Sequence, residues 1–184
     1  MHTAVTSAPA ATPALSVRPR VPADLDDCVD ALALVHAHSG YPVNWPAEPA
    51  AWLTPPALLA AWVAERDGRI VGHVALCRGE DGDPAAQLWA ARGGGVPAVC
   101  VNRLFVAPEA RGLGGGAALM ERAVAQARSR GLHPVLDVVA ADPAAAFYAR
   151  LGWQHLGIVD QRWGPGQVVS LRCFAAPEPA VRTG

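Results

Sequence analysis

Residues 61–77, AWVAERDGRIVGHVALC, hold two largely apolar runs separated by a polar stretch centred on Asp67-Gly68. Two β runs around such a pair predict a hairpin with a two-residue turn. Upstream, Ser16–Arg20 reads as a short strand. Asp24 then caps a helix carrying Leu25, Val29, Leu32 and His36 on one face. The stretch GYPVNWPAEPAAWLTPPALLA, rich in proline and aromatics, reads as a loop or broken helix, and GEDGDPAAQLWAARGGGVPA as a loop of about twenty residues. AVCVNRLFV is a strand leading into a glycine turn, followed by a helix from about Gly115 to Arg130. That helix places Ala117, Met120, Val124 and Ala127 on one face and has Gly131 as its C-cap. HPVLDVVA is a further strand. Asp142-Pro143 opens a short helix that ends at Gly152, with Phe147 expected to pack inward against Leu151. WQHLGIVDQRW and GQVVSLRCF are the last two strands. Strands and helices so interleaved predict an α/β domain, a mixed sheet with helices on its faces.

Composition narrows the chemistry. Of the 184 residues, 52% are hydrophobic and 17% charged, as in a globular domain with a substantial core. Residues 1–14 and 176–184 are expected to be tails around a single domain at 15–175. A net charge of −1 favours neither nucleic acid nor an anionic membrane as partner. All fifteen basic residues are arginine, which excludes Schiff-base and P-loop lysine chemistry. Cys28, Cys77, Cys100 and Cys173 lack metal-ligand spacing and read as buried, reduced thiols, so no metal is expected. The first residues lack the basic start of a signal peptide, and no apolar stretch is long enough to span a membrane. A cytoplasmic protein is the expectation.

RLFVAPEARGLGGGAALMERAVAQARSRG carries the strongest chemical signal, with glycine at 112, 114, 115 and 116 opening a helix. Strand, glycine turn and helix make a phosphate site: first-turn N–H groups lie free and no Cβ blocks approach. Gly116 is followed by Ala-Ala instead of Lys-Ser/Thr, so a P-loop is ruled out. A dinucleotide fold remains open. Gly112 to Ala117 satisfies GxGxxA and Asp137 follows at the right distance, although Pro108 breaks the strand before the first glycine.

Arg111-Gly112-Leu113-Gly114-Gly115-Gly116 also fits the arginine/glutamine-x-x-glycine-x-glycine/alanine signature. The whole segment resembles the acyl-CoA motif of the GCN5-related N-acetyltransferase (GNAT) family, and DVVAADPAAAFYARLGW resembles that family's second motif. The resemblance covers roughly residues 15–174. It implies a mostly antiparallel sheet of six to seven strands, splayed between the fourth and fifth and flanked by about four helices. It further implies that the main chain of Leu104, Phe105 and Val106 pairs with a pantetheine arm. The amides of Arg111, Gly112, Leu113, Gly114, Gly115, Gly116 and Ala117 would cradle a pyrophosphate. Acetyl-CoA is the implied cosubstrate.

Tyr148 matches the tyrosine that in relatives lies near the coenzyme sulfur, where a phenol can protonate a departing thiolate. Asn102 stands where relatives often carry a glutamate base. It cannot take a proton, though it can order a water or polarise a carbonyl. Glu80, Asp81, Asp83, His36, His38 and Asp137 are further candidates for the base. Ala141, where relatives often have asparagine, departs from the second motif. Tyr41, Trp45 and Trp163 are expected to wall an acceptor pocket. The resemblance thus implies an N-acetyltransferase acting by direct attack of a primary amine, with a small molecule favoured over a protein and a homodimer possible. Two rivals stay open: a non-catalytic acyl-CoA sensor, suggested by Asn102, and an NAD(P)-dependent oxidoreductase, suggested by GLGGGA.

Overall fold

The computed structural model describes residues 15–179; the tail expected at 1–14 and the last five residues of the one expected at 176–184 lie outside that range. Seven strands form one sheet: β1 (Ser16–Pro19), β2 (Leu58–Arg66), β3 (Arg69–Arg78), β4 (Ala98–Val106), β5 (His133–Val139), β6 (Gln154–Gly164) and β7 (Gln167–Ala175). Their order is β1-β2-β3-β4-β5-β7-β6. Every neighbouring pair is antiparallel except β4 and β5. Those two are parallel and bridged only where Ala98–Cys100 meet His133–Val135. Beyond that point both strands continue unbridged to each other, so the sheet opens between the fourth and fifth strands as the resemblance implied.

The helices are α1 (Leu25–Ser39), α2 (Pro49–Trp52), α3 (Pro84–Ala91), α4 (Gly115–Ser129) and α5 (Ala144–Arg150). One face of the sheet buries Leu119, Met120 and Ala123 of α4 and Tyr148 of α5 against Trp62, Val74, Leu76, Val99, Val101, Leu136 and Phe174. The other face is covered by α1, through Cys28, Leu32 and Val35 on Val63 and Phe105, and by α3, through Ala85 on Cys100, Val135 and Cys173. All four cysteines are buried and unpaired. Packing continues one residue past β7: the Ala176 amide donates to Pro134 and its carbonyl meets His133 Nε2.

Four local expectations need correction. The supposed loop at 79–98 contains α3, which begins at the Asp83-Pro84 pair with proline in its first turn, while the Asp83 carboxylate accepts from the Glu80 amide instead of capping the helix. On α1 the buried stripe is Cys28, Ala31, Leu32 and Val35, with Leu25, Val29 and His36 at its margin. On α4 it centres on Leu119 and Ala123, with Ala117 and Val124 at its margin. Asp24 does not cap α1: its carboxylate accepts two hydrogen bonds from Arg18, at 2.8 and 2.9 Å, and one from the Val21 amide. The hairpin turn is as expected, with φ of 52° at Asp67 and 71° at Gly68, both positive as a type I′ turn requires.

Candidate functional site

The opening begins with a bulge in β4. His73 of β3 faces Phe105 and Ala75 faces Asn102, so Arg103 and Leu104 together stand opposite the single residue Val74. Arg103 takes a φ of 53° there, a left-handed conformation that costs a non-glycine residue about 1–3 kcal/mol. Surrounding bonds hold it. Its Nε donates to the Trp52 carbonyl at 2.5 Å, its Nη1 donates to Asn102 Oδ1 at 3.0 Å, and its guanidinium lies 4.8 Å from the Trp52 ring centre. Past the bulge, the Ala107 amide bonds back to Val71. Strand alternation therefore turns Phe105 toward β3 and the Leu104 and Val106 main chain toward the opening. The Phe105 ring is buried beneath α1, stacked on His73 with 5.4 Å between ring centres.

The glycine turn follows at once, and its glycines divide into two kinds. Gly112 and Gly114 have φ of 75° and 80° and would present any Cβ to open space. Gly115 and Gly116 instead face neighbouring side chains. A Cβ would come within 3.0 Å of Leu15 Cδ1 at the first and 3.3 Å of Phe147 Cζ at the second. A helix N-terminus with bare, outward-facing backbone suits phosphate oxygens, so the turn fits a pyrophosphate. Arg111 folds back beside it, its Nε donating to the Val106 carbonyl at 3.2 Å and its Nη2 reaching Ser39 Oγ at 3.5 Å. Leu113 is exposed and Ala117 half-buried at the helix start.

Across the opening, β5 carries Asp137 two residues beyond its last bridge to β4, at the register position facing Asn102. The carboxylate is reached by solvent yet crowded by the cleft. That crowding first, and then the charge of Asp83, push its pKa up to about 6. The Asn102 carbonyl oxygen accepts from both Arg103 Nη1 and Cys77 Sγ, the latter at 3.4 Å, which leaves its amide N–H groups as donors toward a water or a carbonyl.

Tyr148 is the inward aromatic of α5 and Phe147 the half-buried one, which corrects the expected order. Phe147 sits over Gly116, and the Tyr148 ring contacts Trp153 and Phe174 at 6.2 and 5.8 Å between centres. Burial holds the Tyr148 phenol well above its ordinary range, reinforced by Tyr41, Asp142 and Asp137. Tyr41 meets Trp52 edge-on at 6.3 Å and feels the charges of Arg103, Asp142 and Asp137, so it borders the same opening. Trp45 and Trp163 are 41% and 38% exposed. Trp45 leans on His36, and Trp163 donates to Gln161 Oε1. Between them Asn44 and Gln167 exchange amide hydrogen bonds at 3.2 and 3.4 Å, joining the loop after α1 to the β6–β7 hairpin.

The sequence profile of the acetyltransferase (GNAT) family matches residues 30–153, about two-thirds of the chain. The chain belongs to the GNAT family. Solved structures agree on the fold. The ribosomal-protein-S18-alanine N-acetyltransferase from Escherichia coli is 17% identical, with 89% of this chain and 93% of that chain covered at a TM-score of 0.63. Arabidopsis thaliana NAA60 in complex with acetyl-CoA is 19% identical, with 88% and 97% covered and a TM-score of 0.65. FeeM, an N-acyl amino acid synthase from uncultured soil microbes, is 18% identical, with 90% and 91% covered and a TM-score of 0.66. Among curated proteins no sequence matches. GNAT membership, with a sheet antiparallel apart from one short parallel contact, sets aside the dinucleotide reading, which needs a parallel doubly wound sheet.

Residues that sequence reasoning missed are Arg103, His73, Arg20 and Ser39. The signal for two of them was present: His73 and Arg103 are polar side chains set inside apolar strand runs, where burial demands partners. Among the described residues no helix is long and apolar enough to cross a membrane.

Proposed function

We propose that this GNAT protein transfers acetyl from acetyl-CoA to the primary amine of a small molecule, by direct attack with both substrates bound. The carrying observation is the opening between β4 and β5 directly above a glycine turn whose outward face is bare backbone. The turn at 111–117 holds the pyrophosphate and the β4 main chain at Leu104 and Val106 holds the pantetheine arm, with Arg111 shifting from the Val106 carbonyl. The coenzyme supplies an activated thioester. Main-chain donors of β4 polarise its carbonyl. Asp137 takes the proton that the attacking ammonium must lose, a task for which a pKa near 6 is well placed. As the carbon–nitrogen bond forms and the carbon–sulfur bond breaks, Tyr148 donates its hydroxyl proton to the sulfur, and the second proton that the nitrogen sheds on becoming an amide returns through water to the phenolate. Its raised pKa keeps the phenol protonated until charge develops on the sulfur.

Tyr41, Trp45 and Trp163 form the acceptor wall. The Asn44–Gln167 bridge closes the rim above it, which supports a small acceptor over a polypeptide.

The test measures melting of the full chain with and without acetyl-CoA. It then follows thiol release with phenethylamine, tryptamine, spermidine, free amino acids and an alanine-initiated tetrapeptide. Stabilisation by acetyl-CoA with turnover on a small amine is expected. Stabilisation without turnover on any amine would favour the sensor, and turnover confined to the tetrapeptide would overturn the acceptor class.

A further inference from the structure

His73 is fully buried in β3, with both ring nitrogens engaged. Nε2 lies 2.9 Å from Arg20 Nη1 and Nδ1 lies 2.9 Å from the carbonyl oxygen of Arg103. A guanidinium can only donate and a carbonyl can only accept, so Nε2 is the acceptor and the proton sits on Nδ1. Arg20 in turn donates to the Leu53 carbonyl at 2.7 Å and to Thr54 Oγ1 at 3.1 Å, while Arg103 donates to the Trp52 carbonyl. One imidazole thus stands between the β4 bulge and the Trp52–Thr54 segment on the acceptor side. The ring stays neutral: burial foremost, and the charges of Arg20 and Arg103 after it, push its pKa down to about 4. A protonated ring would lose its acceptor nitrogen and place a third positive charge between two guanidiniums.

A strand peptide in a left-handed conformation has a competing state in which the bulge flattens. Flattening shifts by one residue which groups face the edge. The carbonyl that His73 grips belongs to the residue in that conformation. We propose that His73 is a positioning residue: its Nδ1–H fixes the Arg103 carbonyl, and so the direction in which the Leu104 and Val106 main chain meets the thioester arm, while its Nε2 ties the bulge to the acceptor wall through Arg20. The proposal rests on the acyl-CoA reading of the site.

Two variants separate the halves of the clamp. In His73→Asn a side-chain N–H can stand near the Nδ1 position while the acceptor for Arg20 is lost. In His73→Gln the amide reaches the Nε2 position and the grip on Arg103 is lost. With acetyl-CoA and the best amine of the panel, His73→Gln should raise the acetyl-CoA KM or Kd at least about tenfold and leave the amine KM within about threefold. His73→Asn should do the reverse. Equal losses in both variants that track their melting temperatures would mean a merely structural histidine and would overturn the proposal. Nitrogen-15 spectra of the wild-type imidazole give a readout independent of variant folding. A single Nδ1–H tautomer that shifts on adding acetyl-CoA is expected, and an Nε2–H tautomer, or a ring already protonated near pH 6, would overturn it. Absence of any melting response to acetyl-CoA in the wild type would instead remove the reading on which the proposal stands, whatever the tautomer.

Discussion

Replacing Asp137 with asparagine keeps the side chain's shape and removes its basicity. The carboxyl is half-titrated near pH 6, because the cleft crowds it and Asp83 opposes its charge. At about pH 7 roughly nine-tenths of it is ionised, and at about pH 5 roughly one-tenth, so wild-type kcat should fall about tenfold across that interval. Measured at saturating acetyl-CoA and amine, the acid limb then belongs to the bound complex and not to the free amine. Asp137→Asn should lose on the order of 10²-fold in kcat and lack the limb near 6, with acetyl-CoA affinity unchanged. Asp83→Asn, which removes the like charge, should move the limb to lower pH while leaving the plateau in place. Stability supplies a second sign. A carboxyl whose folded pKa is raised binds its proton more tightly in the native state, so its contribution is greatest below the unfolded pKa and is lost as pH rises through about 6. Asp137→Asn should therefore melt above wild type near pH 8, with the gap closing as the pH falls through 6 toward 4. If the variant retained kcat within about threefold and showed the same acid limb, Asp137 would have no part in proton removal.

Three further outcomes follow from single groups. Tyr148→Phe keeps the ring contacts with Trp153 and Phe174, so turnover should drop at least about tenfold with acetyl-CoA affinity near wild type; unchanged turnover in the thiol-release assay would exclude the phenol. Gly114→Ala forces alanine to a φ of 80° in open space. That should cost about 1–2 kcal/mol, seen as a melting shift of about 2–8 °C, together with at least tenfold weaker acetyl-CoA binding by calorimetry if the new methyl meets the pyrophosphate. His73, with its folded pKa depressed to about 4, destabilises the fold wherever the unfolded histidine is protonated. Urea stability should thus fall from about pH 6.5 toward 4, by at most about 1.4 kcal/mol per unit, and His73→Asn should flatten that slope.

Elements with local chemistry were legible in the sequence. Asp67-Gly68 forces the hairpin turn, Asp142 Oδ1 accepts from the Ala144 amide at 2.8 Å to start α5, and Gly131 and Gly152 end helices at positive φ. The α3 helix was missed although Asp83-Pro84 carries the same start signal, because the glycines on either side of its eight residues made the stretch read as one loop. Helix faces came out partly shifted: Leu32 on α1 and Met120 and Ala127 on α4 are buried as expected, but several spacings fit a run so rich in alanine, and the buried stripe runs through Ala31 and Ala123 instead of Val29 and Val124. Motif spacing located the glycine turn, but nothing local told which glycines face neighbouring side chains and which face outward. The His73–Arg103–Arg20 network joins residues far apart in the chain: one on β3, one on β4, one just past β1, and the Trp52–Leu53 carbonyls at the end of α2. Only the sheet register brings them together.

Polarity across the opening gives the site its direction. The β4 side presents main-chain groups, the Asn102 amide and the guanidinium of Arg103. The β5 side presents Asp137 and, at the start of α5, Asp142, with the phenols of Tyr41 and Tyr148 in the field of both carboxylates. Acyl transfer to an amine moves electron density from nitrogen to the carbonyl oxygen and then to sulfur. Positive charge therefore builds on the acceptor while negative charge builds on the thioester. A thioester laid along β4 develops its charge against donors and a cation, and an amine arriving from the β5 side develops its charge against carboxylates. Each charge meets fixed groups of opposite sign that need not reorganise when it forms, the condition under which electrostatic stabilisation acts most strongly. The opposite docking would set the developing oxyanion against Asp137 and the ammonium against Arg103, so the proposed reaction calls for the thioester on β4 and the amine on the β5 side.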